Sequence, residues 1–183
     1  DSVNLENLKF NLGIHPGDFV ILYAGKLEPR KNPGFLSLLA KNTTDEKIKL
    51  IIVGNGPLEA KLKIELKNNR NVKFLDFQNQ TQMPIIYRLA NLYILPSVSE
   101  TWGLGMNEAL ACGVPVAASM HCGGAIDLIN EDNGFIFNPE GGIDGFLQKL
   151  FEFRSKPKLD FRTEFLQKFN YQRIIDAVLK EVQ

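Results

Sequence analysis

Leu50-Ile51-Ile52-Val53-Gly54-Asn55-Gly56-Pro57 decides the fold: an unbroken apolar run, three of its four residues β-branched, enters a glycine turn that leads to a proline. A strand that is apolar at every position is buried on both faces, which marks a parallel sheet covered by helices on each side. The glycines supply the turn, and Pro57 suits the first position of a following helix.

Outward from this segment the same alternation repeats. Phe19 to Ala24, Ile48 to Val53, Val72 to Phe77, Leu92 to Leu95, Val114 to Ala118 and Phe135 to Phe137 read as strands. Between or after them, Pro33 to Lys41, Pro57 to Asn68, Thr81 to Ala90, Leu104 to Cys112, Ala125 to Asn130 and Ile143 to Arg154 carry helical spacing. The expected fold is α/β, a Rossmann-like doubly wound parallel sheet of about six strands with helices on both faces. Residues 18–156 form this domain. Residues 1–17 read as a polar, turn-rich linker, and residues 157–183 as a helical extension with helices over Phe161 to Phe169 and Tyr171 to Val182. Because the chain opens on Asp1 rather than Met, a further segment is expected upstream.

The 21 basic and 21 acidic residues cancel, so no broad positive field exists to hold nucleic acid or an anionic membrane. Any anion must be held locally. No apolar run approaches the ~20 residues that span a bilayer, and no secretory signal is visible, so a cytoplasmic location is expected. Cys112 and Cys122 lack metal-ligand spacing and are expected to be free thiols without chemistry.

Ligands of doubly wound sheets bind at the carboxyl ends of the strands, so the loops after Ala24, Val53, Phe77, Leu95 and Ala118 should share one rim. The first, Gly25 to Pro33, crowds Lys26, Arg30 and Lys31 into one turn. Alone it reads as a solvated turn; beside the other rim loops, Lys26 and Lys31 suit a diphosphate. The second, Gly54-Asn55-Gly56, has G-x-G but Glu59 where a dinucleotide fingerprint needs its third glycine, which argues against NAD. A tight turn with close ligand approach fits better. The loop Ser119 to Asp127 contains Gly123 and Gly124, which permit close backbone approach to a ligand. His121 is left without a role.

The most informative rim loop is Pro96 to Ala109, with Glu100 and Glu108 eight residues apart. Glu100 should precede a helix and Glu108 lie within it. Eight helical residues span ~12 Å, whereas a glycosidase carboxyl pair stands roughly 5 to 9.5 Å apart. Two separate grips on two diols fit this spacing better than an acid and base on one bond. The N–H groups from Gly103 to Gly105 would face an anion between them.

Taken together, Gly25-Lys26-Leu27 with Lys31, Val53 to Leu58, Pro96 to Ala109 with its E-x7-E signature, Ala111 to Val116, and Gly123-Gly124 with Asp127 resemble the C-terminal half of retaining group 1 glycosyltransferases of the GT-B fold. The match runs from about Val20 to Phe137. The resemblance implies a nucleotide-diphosphate-sugar donor site. Glu108 would hold the ribose hydroxyls, Glu100 the sugar hydroxyls, and Lys26 and Lys31 the diphosphate. Glu100 and Lys31 would be the catalytic residues. Gly25, Gly54, Thr101, the Trp102-Gly103-Leu104-Gly105 backbone, Gly123 and Gly124 would complete the donor site.

Lys26 stands where the family usually has Arg, Thr101 where Gly is frequent, Trp102 where Phe is common, and Asp127 where Glu is usual. There is no D-x-D motif. No metal and no cofactor are expected; a UDP- or GDP-linked sugar is the substrate, and its hexose passes to a glycan or lipid-linked acceptor. Base recognition is expected after Phe77 and near Met83-Pro84. The resemblance places the acceptor on a separate N-terminal domain, for which this chain is too short, so the piece alone should bind donor without transferring it. The full-length protein is expected to be cytoplasmic, with any membrane contact peripheral and at the inner face. Two alternatives are another GT-B enzyme, such as a nucleotide-sugar 2-epimerase, and a non-catalytic nucleotide-sugar-binding module.

Overall fold

A computed structural model describes residues 2–157 and 159–169. Its centre is a six-stranded, wholly parallel sheet in the order β3-β2-β1-β4-β5-β6, formed by β1 (Phe19–Ala24), β2 (Ile48–Val53), β3 (Val72–Leu75), β4 (Leu92–Leu95), β5 (Val116–Ser119) and β6 (Gly134–Phe137). β1 and β2 pair along their full length, Phe19 with Ile48 through Ala24 with Val53. Alternate residues supply two separate cores. Val20, Leu22, Ile51 and Val53 face one, whereas Ile21, Tyr23, Leu50 and Ile52 face the other. This two-sided burial is what the continuous apolar strands require.

Helices α2 (Pro33–Asn42), α3 (Glu59–Leu66) and α7 (Ile143–Ser155) cover the second core, with Phe35, Leu62 and Phe146 inserted. The first core is closed by α4 (Met83–Tyr87), α5 (Leu104–Ala111), α6 (Ala125–Leu128) and α8 (Arg162–Lys168). The helix expected over Tyr171 to Val182 lies outside the described residues.

The opening segment departs from expectation. Ser2–Leu12 is a helix, α1, and Leu5, Leu8 and Leu12 pack against the first core. Their helical spacing makes this stretch part of the domain rather than a linker. Other differences are at boundaries. β3 stops at Leu75, leaving Phe77 70% exposed beyond the sheet. β5 begins at Val116, because Pro115 has no N–H for the ladder and Val114 instead donates back to the Ala109 carbonyl.

Candidate functional site

The strand order reverses direction between β1 and β4, and there the carboxyl ends of the strands open into a cavity of about 610 Å³. A second hollow of about 760 Å³ lies at the opposite rim, beside Phe19, Asn91 and Pro115 at the amino ends of the strands. It contains none of the candidate donor-site residues. The carboxyl-end cavity is the candidate site, because it gathers Gly25, Lys26, Lys31, Gly54, Glu100, Thr101, Trp102, Gly103, Leu104, Gly105 and Glu108.

The first two loops are zipped together by main-chain bonds. Gly25 N–H donates to the Val53 carbonyl (3.0 Å), Leu27 N–H to Asn55 (2.8 Å) and Leu58 N–H to Leu27 (2.9 Å). Gly54 has φ +126° and a Cβ there would lie 2.1 Å from the Gly25 carbonyl oxygen. The glycine therefore accommodates the neighbouring loop first, and the cavity second. Tyr23, buried in β1, donates its hydroxyl to the Lys26 carbonyl at 2.7 Å, fixing the turn from which the exposed Lys26 side chain projects.

Lys31 ends a 3-10 turn, Pro29–Lys31, and Asn32 follows in the left-handed region at φ 53°. The Asn32 amide donates to the Pro96 carbonyl (3.1 Å), and Val98 N–H to the Arg30 carbonyl (3.0 Å). These bonds dock the first loop on the loop after β4 and bring the Lys31 ammonium against the Glu100 carboxylate as an ion pair. Glu100 is held from below as well. Its N–H donates to the His121 carbonyl (3.1 Å), and its own carbonyl accepts from Gly123 N–H (2.9 Å).

Gly103, at φ +91°, turns the chain into α5; Met106 N–H donates to the Gly103 carbonyl (2.8 Å), and Leu104 and Gly105, at the positive end of the helix, line the cavity. Glu108 sits further along α5 and accepts a 2.7 Å hydrogen bond from the Tyr87 hydroxyl. The two carboxylates thus have different partners on different elements. Trp102 lines the same wall, its indole N–H donating to Asn107 Oδ1 at 2.7 Å.

Two expected residues are elsewhere. Gly123 and Gly124 do not line the cavity. A Cβ on Gly123 would lie 2.2 Å from the Thr101 carbonyl oxygen, and one on Gly124 2.7 Å from that of Trp102. Their N–H groups bond Glu100 and Trp102, so they seat the Glu100 loop instead of receiving a ligand. The sequence reading missed Tyr87 and Tyr93, both on the cavity wall. The available signal was a pair of phenols within otherwise apolar segments, since a buried phenol needs a hydrogen-bond partner. Phe77, Gln78, Gln80 and Met83 form the remaining wall, at the place expected for base recognition. Cys112 caps the end of α5 half-buried, and burial raises its thiol pKa. No helix of the described residues is long and apolar enough to cross a membrane.

Comparison with known proteins points to one family and fold. The D-inositol 3-phosphate glycosyltransferase of Mycobacterium sp. (strain KMS) is 33% identical over 117 residues, 59% of this chain and 26% of that protein. The UDP-Gal:alpha-D-GlcNAc-diphosphoundecaprenol alpha-1,3-galactosyltransferase of Escherichia coli is 27% identical across 97% of this chain and 49% of its own length. The chain thus spans between about a quarter and a half of these two curated relatives. Among solved structures, Anabaena Alr3699/HepE in complex with UDP and glucose superposes with a TM-score of 0.76 at 23% identity, over 100% of this chain and 52% of that one. The C-terminal domain of a glycosyl transferase group 1 family protein (LpcC) from Francisella tularensis gives 0.70 at 18% identity, covering 88% of this chain and 90% of that one. The family described as glycosyl transferases group 1 matches residues 4–168, and the chain, with the Rossmann-like fold found in GT-B enzymes, belongs to that family.

Proposed function

We propose that the chain is the donor-binding part of a retaining glycosyltransferase that moves a hexose from a nucleotide-diphosphate sugar to a glycan or lipid-linked acceptor without a metal. The observation that carries this reading is the division of one cavity between two carboxylates, Glu108 on Tyr87 and Glu100 on Lys31, with the start of α5 between them. Glu108 holds the ribose diol and Glu100 the hexose hydroxyls, since an ionised carboxylate accepts from both members of a vicinal diol. Lys26, Lys31 and the N–H groups of Gly103 to Gly105 at the start of α5 take the diphosphate, whose charge grows as the sugar bond breaks. A UDP-linked donor is favoured, because the Anabaena structure contains UDP and the Escherichia coli relative is named for UDP-Gal. The acceptor is held by a further domain.

Calorimetric titration with UDP, GDP and ADP tests the reading. At least one should bind, and Glu108→Ala should weaken it by about 1 to 3 kcal/mol, the scale of a hydrogen bond to a charged group. Absence of binding by all three would overturn the proposal.

A further inference from the structure

We infer that Tyr87 is a positioning residue that aims Glu108 at the ribose hydroxyls; this rests on the donor-site reading above. A glutamate on an exposed helix face samples several rotamers, and fixing one has an entropic cost. Glu108 is exposed to the cavity, yet its Oε2 is tied at 2.7 Å to a phenol whose residue is only 2% exposed. The phenol is itself anchored. Its ring stands edge-on to Tyr93 at 5.5 Å, and the Tyr93 hydroxyl donates to the Ala24 carbonyl at the end of β1 (3.1 Å).

The first turn of α5 rests on the same pair. A Cβ on Gly105 would lie 2.4 Å from the Tyr93 hydroxyl oxygen and 3.4 Å from that of Tyr87, so only glycine lets the helix settle this low. Burial first, then the neighbouring Tyr93 and the bond to Glu108, push the Tyr87 pKa far above its ordinary value. The hydroxyl therefore keeps its proton and remains the donor of this bond. Among the described residues Oε1 of Glu108 has no hydrogen-bond partner, which leaves it for a ligand diol. Together the tyrosines fix β1, α5 and the ribose carboxylate in one register.

A phenol that merely fills the core would affect every ligand alike; one that aims Glu108 affects only ligands with ribose hydroxyls. The test titrates the intact chain with the tightest of UDP, GDP and ADP and with its 2′,3′-dideoxy counterpart. Tyr87→Phe, which keeps the ring, should weaken the ribonucleotide about tenfold and leave the dideoxy ligand unchanged. Tyr87→Phe combined with Glu108→Ala should bind no more weakly than Glu108→Ala alone. Glu108→Asp, one methylene short of the phenol, should lose affinity like Glu108→Ala, and this arm is independent of how well Tyr87→Phe folds. Equal losses for both ligands, additive losses in the double variant, or full affinity in Glu108→Asp would each overturn the inference. Unaltered ribonucleotide affinity in Tyr87→Phe would remove it while leaving the donor reading intact, whereas a wild-type chain that binds no nucleotide would remove both.

Discussion

Lys31 donates to Glu100 in the wall of the cavity, and the two side chains are only 17% and 11% exposed. The pair ties the turn after β1 to the loop after β4, and without ligand it neutralises the cation proposed for the diphosphate. Removing the carboxylate frees the ammonium. Glu100→Ala should therefore bind bare UDP as well as wild type, or tighter by up to about fivefold at low salt, the range of a partly exposed ion pair. The preference between UDP-glucose and UDP should fall, because the hexose grip is gone. Calorimetry with both ligands at two ionic strengths measures this. A more than tenfold loss for bare UDP would show that Glu100 touches the nucleotide.

Gly54 and Gly145 separate two uses of glycine. At Gly54, φ is +126° and a Cβ would lie 2.1 Å from the Gly25 carbonyl oxygen, with main chain on both sides. Gly54→Ala should cost about 3 kcal/mol or more by urea unfolding, since neither loop can yield without breaking their shared bonds. Gly145 lies in α7 with nothing within 4 Å of an added Cβ. Gly145→Ala should stabilise by about 0.5 to 1 kcal/mol. Similar effects at the two positions would contradict the close loop packing.

Much of the sheet was legible because a strand buried on both faces leaves a continuous run, as in β1, β2 and β4, whose ends agree with the sequence reading. Glu100 before the helix and Glu108 within it were legible because Gly103 marks where helical dihedrals begin. α1 was missed because the residues between Leu5, Leu8 and Leu12 are polar except for the exposed Phe10, which blurs the stripe, and only the core beneath makes their spacing count. Gly123 and Gly124 show a different limit. Glycine records that something approaches the backbone, but Thr101 and Trp102, rather than a ligand, occupy that space. For Tyr87 the buried phenol was a signal, but its partner, 21 positions away, was not legible, because only the packing of α4 on α5 brings the two together.

Trp102 is the only tryptophan in the chain and lines the cavity 39% exposed, so its emission reports this site alone. Nucleotide binding that excludes water from the indole should change its intensity and shift its emission to shorter wavelength, saturating at the calorimetric midpoint. Asn107→Ala, which removes the acceptor of the 2.7 Å indole bond, should broaden the emission and reduce the change. Calorimetric binding with no fluorescence response would place the ligand away from the Trp102 wall.

Cys122 predicts an alkaline weakness. Its thiol is buried between β4 and the Glu100 loop, 3.8 Å from the Leu95 carbonyl oxygen; burial, with the charge of Glu100 added, pushes its pKa from 9.0 to about 11. Between those values the unfolded chain has released this proton and the folded chain still holds it. The unfolded state therefore binds fewer protons, and stability falls as pH rises through this window. At pH ~10.5 the loss from Cys122 should reach about 2 kcal/mol relative to pH ~8. Tyr23, Tyr87 and Tyr93, whose pKa values are also raised by burial, add to the decline only as the unfolded phenols begin to ionise near 10.0, and they are common to wild type and Cys122→Ala. Urea unfolding at the two pH values should show the variant starting less stable, from lost packing, but declining by about 2 kcal/mol less. Parallel declines would show that Cys122 ionises as readily in the folded chain as in the unfolded one.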